Sequence, residues 1–122
     1  MSNIEYNQKE MTDFKPQIIA PTLLNGWHNY ENGYEGAKVY KYPSGRVECS
    51  GLVAGNFAQI IFTLPAGWRP AGQQLFSVCA NDVLVRVDIT PDGNVFLSSS
   101  GSVGRQGSGW VSLNGISFYA GN

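Results

Sequence analysis

The sequence predicts an all-β protein, an antiparallel β-sandwich of jelly-roll type with seven or eight strands. Three observations carry this. Apolar and polar residues alternate with period two along Val83 to Thr90, the pattern of a half-buried strand in an antiparallel sheet. A Pro-x-Gly-x-Val turn phrase occurs twice, as Pro43 to Val47 and Pro91 to Val95. Charged residues make up only 14% of 122 residues that include 15 glycines, a balance that favours sheets and turns over exposed helices.

Residues 1–24 are polar, carry Pro16 and Pro21, and have only short apolar patches at Ile18 to Ala20 and Leu23-Leu24. They read as a flexible arm, or as a segment that orders against a partner, with one domain over 25–122. The N-terminus has no signal-peptide core and the chain has no membrane-spanning run, so synthesis in a cytoplasm is the expectation. With a net charge of −1 and scattered basic residues there is no footprint for nucleic acid.

Lys38 to Tyr42 and Val47 to Ser50 flank the first Pro-Ser-Gly turn and predict a hairpin. Phe57 to Leu64 reads as a strand with Ile60, Phe62 and Leu64 on one face and Gln59, Ile61 and Thr63 on the other. Leu75 to Ala80 pairs with Val83 to Ile89 through the two-residue link Asn81-Asp82, and Val83 to Thr90 then pairs through Pro91-Asp92-Gly93 with Val95 to Ser98. In Val83 to Thr90, Arg86, Asp88 and Thr90 point to solvent or a partner. Ser98 to Gly109 is too polar to pack and reads as a mobile loop. Trp110 to Tyr119 is either a hairpin at Asn114-Gly115 or one terminal strand with a bulge there; the bulged strand places Val111, Leu113, Ile116 and Phe118 on one face and is preferred.

Catalytic chemistry is thinly supplied. The single histidine, His28, lies among aromatic residues with no placed nucleophile and reads as structural or exposed. Glu31, Glu35, Glu48, Asp82, Asp88 and Asp92 fall where solvated turn or outward strand positions are expected, which leaves no facing pair for glycoside hydrolysis. The glycines from 101 to 109 lack the lysine and the helix of a phosphate loop, and two cysteines without a nearby histidine make no zinc site. Cys49 and Cys79 have apolar neighbours that suit buried thiols as well as a bridge; in a reducing compartment free thiols are the reading. No cofactor, no metal and no enzymatic activity are expected.

Aromatic residues crowd the first strands. Trp27 and Phe62 read as core, while Tyr30, Tyr34 and Tyr42 divide between surface recognition and subunit packing. Polar loops with an aromatic or a planar guanidinium suit sugars, which nominates Tyr30, Tyr34, Asn81, Asp82, Arg105 and Gln106 as ligand-binding residues. Outward Ile61 and Leu84 suit a subunit interface.

The order LPAGWRP, then VRVDITPDGNV, then WVSLNGISFYA resembles the C-terminal domains of bacteriophage tail and fibre proteins, over about residues 36 to 120. There an L-P-x-G-[YW]-R-P turn, a V-x-I-x-x-x-G-x-V hairpin and a W-V-x-L-x-G-I-x-F terminal strand recur in that order. The resemblance implies a trimeric β-sandwich exposed on a virion that binds host-surface carbohydrate, without catalysis. Its motifs fall on turns and core strands and supply no binding residues. Such domains usually end long fibres, whereas some two dozen residues precede this one. The alternative is therefore a decoration or connector protein that docks on other virion proteins through residues 1–24 and binds no glycan.

Overall fold

Residues 15–98 and 107–121 are described in the computed structural model. Among them, β1 (Gln17–Ile19), β3 (Lys38–Lys41), β4 (Arg46–Ser50) and β11 (Ile116–Tyr119) form one sheet in the order β1-β3-β4-β11. The second sheet contains β2 (His28–Asn29), β5 (Leu52–Asn56), β6 (Phe62–Thr63), β7 (Gln74–Ala80), β8 (Val83–Ile89), β9 (Asn94–Leu97) and β10 (Ser108–Ser112), in the order β2-β5-β10-β7-β8-β9-β6. All pairs are antiparallel. Val47 and Cys49, Ile116 and Phe118, Val53, Val85 and Val111 alternate with more exposed neighbours and, with Val87 and Ile89, form the buried layer of a sandwich.

The described strands cross between the sheets four times, and two of these crossings are adjoining corners. Between β4 and β5 the chain turns at Gly51, whose φ of +108° and approach to the Gly36 carbonyl (2.2 Å from an ideal Cβ) exclude a side chain. Between β10 and β11 it turns through Leu113 to Gly115. The corners are tied to each other, since Leu113 N–H donates to the Gly51 carbonyl (2.8 Å) and Gly51 N–H donates to Asn114 Oδ1 (2.9 Å). Asn114-Gly115 is therefore neither a hairpin nor a bulge inside one strand, because β10 and β11 belong to different sheets. The inward placement of Val111, Leu113, Ile116 and Phe118 holds.

The repeated phrase builds the same turn twice, once in each sheet. Gly45 N–H donates to the Tyr42 carbonyl (2.9 Å) and Tyr42 N–H to the Arg46 carbonyl (2.9 Å); Gly93 and Thr90 repeat this with Thr90 and Asn94 at 2.8 and 3.1 Å. Both glycines have φ near +90°, as a type I turn closed by a glycine bulge requires. Segment 64–70 links the turns: Leu64 N–H donates to the Gly93 carbonyl, Arg69 Nε to the Leu64 carbonyl, and Ala120, bridged to Pro70, donates to the Gly45 carbonyl.

Several sequence expectations are corrected. Among the described residues eleven strands replace seven or eight, because two- and three-residue strands leave no alternation to read. Only Phe62–Thr63 of 57–64 pairs as a strand; Asn56 Oδ1 and its carbonyl accept from Ala58 and Gln59 N–H and fold 56–59 into a turn. Ile61 is fully buried, not outward, with its N–H on the Val95 carbonyl and its carbonyl accepting from Leu24 N–H. Asp88 occupies an outward position yet is buried, because Arg86 and Gln73 close over it. Cys79 is exposed rather than buried, whereas Cys49 is buried; both are free thiols, as the sequence reading expects. β1 adds to the first sheet, so the ordered fold extends into the segment read as an arm; residues 1–14 lie outside the described residues. Ser108 and Gly109 belong to β10, and the rest of the predicted loop, 99–106, lies outside the described residues apart from Ser98 and Gly107.

Candidate functional site

Between β2 and β3 the chain passes through Glu31, Asn32 and Gly33 with φ of 66°, 51° and 90°. Three successive residues in the left-handed region are costly for Glu31 in particular, and such strain persists only where the surroundings impose it. They do so here. Leu52 holds both ends of the loop, accepting from Tyr30 N–H (3.0 Å) and donating to the Glu35 carbonyl (2.9 Å), while Asn29 Oδ1 accepts from Ala37 N–H (2.9 Å). Tyr34 N–H closes the turn on the Glu31 carbonyl (3.0 Å). The product is an exposed aromatic pair, Tyr30 against Tyr34, edge to face with centroids 5.6 Å apart.

The strands beneath supply the other residues. Leu52 on β5 and Trp110 and Ser112 on β10 alternate with buried Val53 and Val111, which sends their side chains to the outer face of the seven-stranded sheet. The β7–β8 hairpin turns at Asn81 and Asp82, with φ of 49° and 70°, the left-handed pair that a tight hairpin requires and that Asn and Asp tolerate. Asn81 then bonds the backbone of β10, accepting from Trp110 N–H (3.0 Å) and donating to the Ser108 carbonyl (3.0 Å).

These elements border an open cleft of about 540 Å³, within the range of small-molecule sites. Tyr30, Tyr34, Leu52 and Trp110 give it apolar surface; Glu35, Asp82, Ser112 and Asn114 give it polar groups, and Gly51 completes the lining. Its chemistry is that of flat aromatic faces beside hydrogen-bonding side chains. Among the described residues no group of three His, Cys, Asp or Glu side chains is placed to hold a metal.

Of the sequence-nominated residues, Tyr30, Tyr34 and Asp82 line this cavity. Asn81 lies beside it with its side chain engaged on β10, and Arg105 and Gln106 lie outside the described residues. Tyr42 is elsewhere, half-buried under the Arg46 guanidinium, which sits 5.5 Å from its ring. His28 is exposed on the short edge strand and is not part of the lining. The sequence reading missed Glu35, Leu52, Trp110, Ser112 and Asn114. The signal for Trp110 and Ser112 was present: once Val111 and Leu113 are assigned inward, their neighbours must face out. The glycine turns do not contribute, since none of 42–45 or 90–93 lines the cavity.

No protein-family model matches the chain, and no curated protein matches its sequence. Among solved structures it is similar to the receptor binding protein (gp15) of Listeria phage PSA, with a TM-score of 0.78 and 18% identity over 98% of this chain and 73% of that one. At this identity the likeness is one of fold: the two-sheet β-sandwich built here is an architecture that a phage receptor binding protein also adopts.

Proposed function

We propose that this chain is a non-enzymatic virion protein of a bacteriophage, a receptor-binding module that adheres to a carbohydrate on the host surface. The observation that carries the reading is the cavity between the Tyr30–Tyr34 pair and Trp110, where aromatic faces stand beside carboxylate, amide and hydroxyl groups. Sugars present apolar C–H faces and a rim of hydroxyls, and that combination of surfaces matches both. The loop is held from Leu52 and Asn29 before any ligand arrives, which reduces the entropy lost on binding. The likeness in fold to a phage receptor binding protein supports the same reading.

The module acts as a homotrimer in this proposal. Leu84, 75% exposed, lies across from exposed Cys79 on the outer face of the seven-stranded sheet, and Leu75 is 55% exposed on the same strand as Cys79. Apolar side chains gathered on one face suit a subunit contact. Buried Ile61 lends no support to it.

The test is adsorption of the labelled protein to host cells and to glycan extracted from them. Trp110→Ala, with its fold verified by circular dichroism, is expected to weaken both by about tenfold or more, the scale of a lost aromatic anchor. Unchanged adsorption would remove the cavity from the reading. Deleting residues 1–14 separates the alternative: an adhesion module keeps cell binding, whereas a connector without glycan affinity loses incorporation into the virion. Light scattering gives the mass, and Leu84→Asp is expected to convert trimer to monomer.

A further inference from the structure

The ionisable side chains around the cavity have one sign. Besides the two tyrosine phenols they are the carboxylates of Glu35 and Asp82, and among the described residues no lysine, arginine or histidine lines it. Nor are the arginines of the described residues held in reserve. Arg46 is paired with Glu48, Arg69 donates to the Leu64 carbonyl, and Arg86 is committed to Asp88, while Lys41 reaches the Gly67 carbonyl. From this we infer that the cavity selects an uncharged pyranose and rejects sugars that carry a carboxylate or a phosphate. The inference rests on the carbohydrate reading above and adds its chemical class.

The physical argument has two halves. Ionised carboxylates accept hydrogen bonds and donate none, so Glu35 and Asp82 suit the hydroxyl donors of a neutral sugar, with Ser112 and Asn114 able to donate to the oxygens that remain. A uronic acid, a sialic acid or a sugar phosphate brings a second anion to the same place. Among the described lining residues it finds no guanidinium or ammonium to receive it, and the like charges repel. Stacking on Trp110 and the tyrosines is indifferent to charge at a distant ring substituent, so it cannot restore the loss.

The experiment compares matched pairs on the full chain by saturation-transfer NMR and calorimetry: methyl galactoside against galacturonate, methyl glucoside against glucuronate, and glucose against glucose 6-phosphate. Each neutral member is expected to bind about tenfold or more tightly than its acidic counterpart, a gap of the size that like-charge contact produces. The gap should widen at low salt and close towards parity in Glu35→Gln/Asp82→Asn, a nearly isosteric pair of changes whose folding is checked by thermal melting. An acidic sugar bound as well as its neutral parent, with binding still lost in Trp110→Ala, would overturn the selectivity and leave the carbohydrate reading standing. A gap unchanged in the double variant would remove the carboxylates as its cause. If no sugar in the panel binds in a Trp110-dependent way, the carbohydrate reading fails together with this one.

Discussion

The side-chain amide of Asn81 pairs with β10 at Trp110 as another strand would, with Oδ1 accepting from Trp110 N–H at 3.0 Å. Its Nδ2 donates to the Ser108 carbonyl, and the close fit leaves no room at Gly109, where φ is +146° and an ideal Cβ would fall 2.1 Å from Asn81 Oδ1. This one contact fixes both the hairpin that presents Asp82 and the strand that presents Trp110. Gly109→Ala is therefore expected to cost about 2–3 kcal/mol, through clash and loss of the amide contact. The same change made in Asn81→Ala should cost less, since the obstructing side chain is gone. Chemical denaturation of the four proteins in a double-mutant cycle gives the coupling; simple additivity would mean that the two residues do not meet.

The duplicated turns make a second comparison possible. Gly45 and Gly93 share φ values of +93° and +89°, but a Cβ at Gly45 meets nothing within 4 Å, whereas at Gly93 it meets the Leu64 carbonyl at 2.6 Å and Arg69 Nε at 2.8 Å. Gly45→Ala carries only the left-handed strain, about 1 kcal/mol. Gly93→Ala adds displacement of segment 64–70 and is expected to cost about 2–4 kcal/mol. Equal melting temperatures for the two variants would show that the 64–70 segment yields freely.

Asp88 is only 2% exposed and is bound by Arg86 on both carboxylate oxygens, at 2.8 and 3.0 Å, and by Gln73 at 2.8 Å. Removing the partner strands a charge in a place that water does not reach. Arg86→Ala is expected to lower the melting temperature, and adding Asp88→Asn should recover part of the loss because the amide needs no counter-charge. A further drop in the double variant would contradict this account.

The fold was legible where alternation coincided with clear turn chemistry, and misread over Phe57 to Leu64, where alternation stood without it. Val83 to Ile89 shows its inward valines plainly, and the two Pro-x-Gly turns announce hairpins by backbone chemistry alone. What could not be read depends on contacts between distant residues. Ile61 looks outward in a period-two count, but its neighbours are Leu24 and Val95, and nothing local records that the chain leaves the strand at Phe57. The corner at Asn114 looks like a bulge in sequence because its partner is Gly51, 63 residues away.

The site was half legible for the same reason. Tyr30, Tyr34 and Asp82 stand out as aromatic and turn residues, whereas Leu52 and Glu35 matter through backbone bonds that a sequence does not display. Asp88 was misplaced because its burial comes from Gln73 and Arg86 closing over an outward position.

The two cysteines should behave oppositely. Cys49 is 1% exposed on β4, and burial, with a smaller contribution from the Glu48 carboxylate, pushes its thiol up to about 12. Cys79 is exposed on β7. Because the thiolate is the reactive form, a thiol reagent at pH 8 should modify one cysteine quickly and the second only on unfolding, with the fast phase absent in Cys79→Ser. The raised value also sets a pH dependence. The unfolded thiol ionises near its ordinary 9.0 and the folded one near 12, so the stability that protonated Cys49 contributes is complete below about 9 and is lost as pH rises from there towards 12. The measure is the difference in slope between the parent and Cys49→Ala, which cancels whatever the two share, the variant being the flatter. Two thiols reacting at equal rates in the folded protein would contradict the buried position of Cys49.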